Sequence, residues 1–425
     1  MEIPEWSQCM YIIGCFLSGH HGGKRFILFL AITVQGQKFS WELALSNSLG
    51  DSVSWKWTSL FALWAIVWLK VPSKTVEGPE TSFGTKPTYR ANGVLYFWAT
   101  LVAFFLLQAL YPNTSKTIHT HFSQIIGVLN IYALLLCLGL LLKGRLKPEY
   151  PQDPEERVSL IFDFYKGIEL HPHAFGIDIK QLTNCRIGMM GWQVLLCAFY
   201  LAGVEQHGFI TSTFVHLIIQ SVYIAKFFWW EVGYFFTLDM MLDRAGFYIC
   251  WGTLVLVPSF FTFSGAYTVV HPPTIPAWIS VVIGVFGLAC VLLTYRVGRD
   301  TVDYERQIFR ASPNYKCIIW GKPATYILAE YKDAKGHVKK SPLLTRGFWG
   351  LGRHINYTFE LGTSIAFGAC LGFSFGIWNF LYFFFILLLL LHRLHRNEEK
   401  CRNKYGRYWE QYCKEVPYVL IPGVW

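Results

Sequence analysis

Charge is what this sequence has least of. Only 15% of its 425 residues are Asp, Glu, Lys or Arg, against about 25% in soluble globular chains. So few ions cannot wet a surface of this size, which excludes an ordinary soluble enzyme. With 53% apolar residues a disordered chain is excluded as well. Paired cysteine spacing is also missing. None of the 11 cysteines forms a C-x-x-C pair, and Cys137, Cys197, Cys250, Cys290 and Cys370 lie inside apolar runs. Neither a disulfide framework nor a zinc site is expected. There is no H-E-x-x-H pair, no Walker loop and no Rossmann fingerprint, and no internal repeat. His171-Pro172-His173 has no third ligand close in sequence, so no metal is expected there.

What is present is long apolar runs, 18% aromatic residues and a net charge of +10, from 37 Lys+Arg against 27 Asp+Glu. The basic residues border the apolar runs. The expected anionic partners are therefore membrane lipid headgroups and an anionic cofactor, not nucleic acid.

A helix needs roughly 20 apolar residues to cross the hydrocarbon core. Runs of that kind cover Gly93–Tyr111, Phe122–Leu142, Gly188–Val204, Phe209–Trp230 and Pro276–Tyr295, with a shorter, Trp-rich one at Trp55–Val71. Phe26–Val34 is a weak run. Phe247–Val270 carries Gly252, Pro258 and Gly265, so its freed backbone groups must be buried in protein or line a cavity. Leu361–Leu391 is long enough for a helical hairpin or one steeply tilted span. The expected fold is all-α and polytopic, with eight to ten transmembrane helices. Arg296–Arg353 and the tail from His392 are basic, which places both on the cytosolic side.

Ionisable residues in or beside the membrane are functional candidates by default. The densest group runs from Phe227 to Phe247. Its Glu231, Asp239 and Asp243 recur at multiples of four, which predicts three carboxylates on one helical face, with Tyr234 between the first two. Aromatic surroundings raise a carboxyl pKa and make it a proton donor; the alternative is an acid that faces water or pairs with a neighbouring cation. A second group, Tyr165 to Gly188, places Glu169, Asp178, Lys180 and Arg186 on a loop leading into a span. The third, Leu343 to Tyr357, mixes Gly347, Gly350 and Gly352 with Trp349, Arg353, His354 and Asn356. Cations there can clamp phosphates and aromatic rings can stack on a flat ring, or the segment can hold anionic lipid.

Three motifs in order, Cys317–Gly321 (CIIWG), Gly347–Tyr357 (GFWGLGRHINY) and Lys404–Trp425, resemble the sterol reductase family together with the Tyr165–Gly188 segment. That family comprises the Δ14-sterol reductases, the lamin B receptor and the 7-dehydrocholesterol reductases. CIIWGKP, the Phe of GFWG and Lys74–Gly93 look most like the 7-dehydrocholesterol reductase branch. The resemblance covers about Trp55 to Trp425. It implies a multi-pass endoplasmic reticulum enzyme that reduces a sterol ring double bond with NADPH, most closely the Δ7 bond. It also implies a division into a divergent segment 1–54, helices and sterol-side loops over 55–295, and a C-terminal portion, 296–425, with a cytosolic-side cofactor pocket.

Residue by residue, the implied cofactor positions are Arg306 and Arg310 for phosphates, Leu344 and Trp349 on the cofactor wall, then Asn356, Tyr357, Asn397, Cys401, Arg402, Asn403, Lys404, Tyr405 and Tyr412. The implied acid side is Glu231, Tyr234 and Asp239. The chain departs from the family pattern at Leu242, Thr253, Glu360 and Asn397, and at His171-Pro172-His173. These departures open two alternatives: another sterol bond such as Δ14, or a sterol-binding membrane protein of the same fold with weakened catalysis.

Overall fold

The computed structural model describes residues 35–36, 40–81, 84–150, 159–310, 317–332, 337–373 and 376–424, with backbone alone at 238, 300–310 and 332. Phe26–Val34 lies outside them. The chain forms two compact units, Met1–Ser280 with Leu371–Asn379, and Val281–Cys370 with Phe380–Trp425.

The first unit contains α1 (Trp41–Leu49), α2 (Ser52–Lys70), α3 (Gly93–Leu110), α4 (Thr114–Thr120), α5 (Phe122–Leu146) and α6 (Leu160–Lys166). Then come α7 (Gln181–His207), α8 (Thr211–Trp229), the one-turn helices α9 (Glu231–Tyr234) and α10 (Leu238–Met241), and α11 (Phe247–Val270). Two small hairpins, β1 (Thr75–Glu77) with β2 (Thr88–Arg90) and β3 (His173–Ala174) with β4 (Ile177–Asp178), lie between the helices. The second unit begins on α12 (Ala277–Arg310). It continues through β5 (Ile318–Ile319), β6 (Lys322–Pro323), β7 (Tyr326–Lys332) and β8 (Val338–Leu344). It ends with α13 (Phe348–Leu351), α14 (Ile355–Ala369), α15 (Leu381–Tyr405) and α16 (Arg407–Glu415).

Among the described residues, six helices are long and apolar enough to cross a membrane: Gly93–Leu110, Phe122–Leu146, Gln181–His207, Phe247–Val270, Ala277–Arg299 and Gly376–Tyr405. Their amphipathicity is inverted relative to a soluble protein. On α3 the outward face is Leu95, Trp98, Val102, Phe105 and Leu106, whereas Tyr96, Phe97, Thr100 and Phe104 are buried. Lipid takes the place of a core on one side, so polar side chains serve as interhelical glue. Trp192 on α7 donates to Gln220 Oε1 on α8 at 2.7 Å, and Gln193 donates to Ser221 at 2.9 Å. Trp251 on α11 donates to Asn130 on α5 at 2.8 Å.

The run with Gly252 and Pro258 stays helical but widens into a π-wound stretch, Gly252–Phe261. Proline removes one backbone donor, and hydroxyls within and just after the stretch hydrogen-bond to carbonyls of the preceding turn. Thr262 Oγ1 donates to Pro258 O and Ser259 Oγ to Val255 O, both at 2.6 Å. A second π-wound stretch, Gln181–Gly188, opens α7 and packs against the first. Gly188 sits where a Cβ would meet Thr253 O at 2.9 Å, so the two backbones touch.

Leu361–Leu391 resolves as a hairpin: α14 and α15 pack together in the second unit and are separated by a break. The all-α expectation is corrected at residues 326–344. There β7 and β8 pair antiparallel from Tyr326↔Leu344 to Lys332↔Val338. Ile327 and Ala329 are buried while Tyr326, Leu328 and Glu330 are exposed, the period-two alternation of a half-buried strand.

Candidate active site

In the first unit the acidic segment follows α8. Helix α8 ends at Trp229, the chain turns at Trp230, and α9 starts at Glu231. Gly233 lies so close to the Trp230 indole that a side chain there would collide with the ring. Thr237 then terminates α9, its backbone N and its Oγ1 both donating to Tyr234 O, at 2.9 and 2.7 Å. Lys180 holds the next turn: its buried Nζ donates to the carbonyls of Asp239, Met240 and Asp243 at 3.1, 2.8 and 2.7 Å. The expected single acidic face is thereby overturned. Glu231 and Asp239 lie on two separate one-turn helices and Asp243 on a loop, because Trp230, Thr237 and Lys180 each divert the backbone from a continuous helix.

Glu231 is buried and meets Arg186, which is completely buried. Arg186 Nη1 pairs with Glu231 Oε1, and Nη2 donates to Glu231 Oε2 at 3.2 Å and to Asn92 Oδ1 at 2.7 Å. The guanidinium also lies over the Tyr96 ring at 5.2 Å, and Tyr96 OH donates to Arg186 O at 2.8 Å. Gly93 is pressed against the Glu231 carboxylate with no room for a side chain. Glu231 is therefore held at two points by one guanidinium. Lys226, a neighbouring cation that could have paired with Glu231, lies over the Tyr223 ring at 4.8 Å. Tyr234 is half-buried; its OH accepts from Asn184 Nδ2 at 3.0 Å and its ring packs on Phe227. Asn92, Tyr96 and Asn184 are the partners that sequence reasoning missed. The signal for such a cluster was Arg186 itself, a cation just inside an apolar helix.

Two groups on the loop before α7 are tuned by burial. Desolvation, helped by the charges of Lys180, His173 and Arg244, pushes His171 down to about 2, and its Nδ1 lies 3.2 Å from Tyr89 OH. Burial also raises Asp178, opposed by the Gln181 backbone N–H and by His173 and Lys180.

The second unit gathers most of the expected cofactor positions. Leu344 and Trp349 pack with Cys317, Ile319 and Ala324. Tyr357 OH accepts from Asn397 Nδ2 at 3.0 Å, and its ring stacks on His354 at 5.2 Å. Asn356 carries a buried Oδ1 with no hydrogen-bond partner. Glu398 Oε1 accepts from Arg353 Nε at 3.0 Å and lies 3.2 Å from His354 Nε2. Arg353 and His354 tie the tail down in turn, their backbone N–H groups donating to Tyr418 O and Val419 O at 3.0 and 2.8 Å. Tyr405 and Tyr412 close onto β7 with Cys401, Ile327 and Trp409, and Lys404 Nζ lies 4.1 Å from the Tyr331 ring centroid and 4.7 Å from that of Tyr405. Arg402 and Asn403 are exposed. Arg306 and Arg310 lie near the end of α12, and their side chains fall outside the described residues.

An anionic dinucleotide fits this chemistry. Flat aromatic walls suit its rings, and the orphaned Asn356 Oδ1 is an acceptor that a ligand donor would satisfy. Among the described residues no cluster of three or more His, Cys, Asp or Glu could hold a metal.

A multi-pass helical membrane protein with buried ions beside its helices is a frequent plan, and the comparisons narrow it. The model described as "Ergosterol biosynthesis ERG4/ERG24 family" matches residues 20–425. The chain is 38% identical over 379 residues to the 7-dehydrocholesterol reductase of Arabidopsis thaliana, covering 88% of this chain and 85% of that protein. It is 30% identical over 400 residues to the 7-dehydrocholesterol reductase of Danio rerio, covering 88% and 80%. It is also 30% identical over 384 residues to the Delta(14)-sterol reductase of Methylotuvimicrobium alcaliphilum, covering 88% and 84%. The chain belongs to the ERG4/ERG24 family of sterol reductases.

Proposed function

We propose that this protein is an NADPH-dependent oxidoreductase that reduces the Δ7 ring double bond of 7-dehydrocholesterol-type sterols in the endoplasmic reticulum membrane, as a step of cholesterol-type sterol biosynthesis. The observation that carries the reading is the match to 7-dehydrocholesterol reductases along nearly the whole chain. The orphaned Asn356 amide, within the group of expected cofactor positions, supports it. Counting α2, α8 and α14 as further spans brings the six apolar helices into the expected range of eight to ten. The cofactor portion is assigned to 296–425, preceded by membrane helices and sterol-side loops over 55–295.

Saturating an isolated C=C needs a proton on one carbon and a hydride on the other. NADPH supplies the hydride when bound. Arg306 and Arg310 are assigned to its phosphates. Leu344, Trp349, Asn356, Tyr357, Asn397, Tyr405, Tyr412 and the Cys401–Lys404 turn are assigned to its remaining surfaces. The proton is assigned to the Glu231–Asp239 segment. Glu231, paired with the buried Arg186, is assigned to positioning the segment. Tyr234 then delivers the proton: its hydroxyl accepts from Asn184, which turns the O–H away from that amide. Asp239 is the carboxyl that resupplies it.

Two other readings have specific support. The relative named Delta(14)-sterol reductase supports a different ring bond. The neutral Asn397, bonded to Tyr357 where the family resemblance implies an aspartate, supports a sterol-binding protein with weakened catalysis. Sterol profiling after expression in cells lacking Δ7 reductase separates the three. Loss of Δ7 sterols supports the proposal. Loss of Δ14 sterols in a Δ14-deficient strain moves the bond, and retention of both with sterol bound to the purified chain leaves only binding.

A further inference from the structure

The turn between β5 and β6 is built against local preference. With Ile319 paired to Lys322, Trp320 and Gly321 form a two-residue loop with φ of 51° and 73°. Such a turn needs positive φ at both positions and is favoured by Asn-Gly or Asp-Gly. A bulky residue in this region is a genuine outlier. The indole gains little in folding to offset the strain, because Trp320 remains 54% exposed. Strain of this kind persists where the side chain serves something other than local folding.

The surroundings identify what it serves. Ile318 and Lys322 are exposed beside it, and half-exposed Arg346 reaches Pro323 O at 3.5 Å. From Cys317 to Ala329 the only charged residue is Lys322, and from Thr345 to Gly352 the only one is Arg346, so the charges these two segments contribute to the tip are cationic. The inner edge of the indole meets Phe348 edge-on at 4.9 Å, and Phe348 meets Phe359 on α14 at 6.3 Å. That aromatic ladder leads to the polar start of a helix whose following residues, Leu361–Ala369, are apolar apart from Thr363 and Ser364. An exposed indole and isoleucine, two cations and continuity with an apolar helix are the chemistry of the headgroup layer.

We propose that the Trp320 turn, with Ile318, Lys322 and Arg346, is an interfacial anchor that inserts into an anionic lipid surface and fixes the β5–β6 hairpin to the membrane. The test is the full-length chain reconstituted in phosphatidylcholine–phosphatidylserine vesicles whose acyl chains are brominated near the glycerol end. Subtracting the emission of Trp320→Phe from that of the wild type isolates this indole among the 17 tryptophans. More than half of the difference emission should be quenched by the brominated lipid. Lys322→Gln with Arg346→Gln should weaken that quenching in phosphatidylserine vesicles and leave it unchanged in pure phosphatidylcholine. Trp320→Asn, which suits the turn, should melt in detergent at or above the wild-type temperature and lose the same quenched component. Difference emission that brominated lipid leaves untouched overturns the proposal, as does emission quenched by NADPH instead, which would make the indole a cover for the cofactor. A Trp320→Asn variant that melts well below the wild type also overturns it, because the indole would then be serving the fold.

Discussion

Glu231→Gln is the perturbation on which the acid side of the site turns. The carboxylate is buried, and Arg186, buried on every side, has Glu231 as its ionic partner and Asn92 as its neutral one. Replacing the carboxylate by an amide keeps the shape and one acceptor but leaves the guanidinium charge buried without compensation. Breaking a buried pair this way costs roughly 3–5 kcal/mol. At about 1.4 kcal/mol per factor of ten, the unfolded fraction rises by roughly two to nearly four powers of ten. Thermal unfolding in detergent, followed by labelling of the buried free thiols Cys137, Cys185, Cys197 and Cys250, should show a clear fall in melting temperature and lower yield. Turnover per folded molecule should fall far less. Arg186→Met with Glu231→Leu, which removes both charges, should destabilise less than either single change. If Glu231→Gln melts like the wild type and yet abolishes reduction, the pair is not structural and Glu231 is the acid after all.

Tyr234→Phe should keep NADPH affinity and lower the melting temperature modestly, because the buried Asn184 amide loses its acceptor, while lowering reduction by roughly two to four powers of ten; single-turnover assays with sterol and NADPH check this. Arg310→Ala should weaken NADPH binding about ten- to a hundred-fold, from loss of a charge-assisted phosphate contact of roughly 1.5–3 kcal/mol, and unchanged affinity on purified protein would sink the cofactor assignment. Asn397→Asp converts the donor on Tyr357 into an acceptor and installs the residue the family resemblance implies there; activity should be equal or higher, and a large loss would mean that this pocket is rebuilt. His171 is held neutral in the fold down to about 2, whereas an unfolded histidine protonates near 6.5. The unfolded state then binds the extra proton, so stability falls as pH drops below about 6.5, by up to about 1.4 kcal/mol per unit. His171→Gln should flatten that slope in melting curves recorded between neutral and mildly acid pH.

Six spans were legible because a membrane helix announces itself by length and by lack of charge, and lipid imposes both along contiguous sequence. The division at Trp230 was not. Its causes are an indole lying on Gly233 and a lysine reaching back from position 180 to cap three carbonyls, and neither leaves a periodic trace. The β7–β8 hairpin could have been read from the alternation in Tyr326–Lys332, but a short basic segment beside apolar runs reads first as a loop. The acid side shows why local reading of charge misleads here. Phe227, Phe228, Trp229 and Trp230 surround Glu231 in sequence, and an apolar setting alone raises a carboxyl pKa. The charged partner of Glu231, Arg186, lies 45 positions away, and nothing in the local sequence around Glu231 announces that pairing. A carboxylate committed to that buried pair holds the segment in place, which is why the proposed donor is Tyr234, one turn further along.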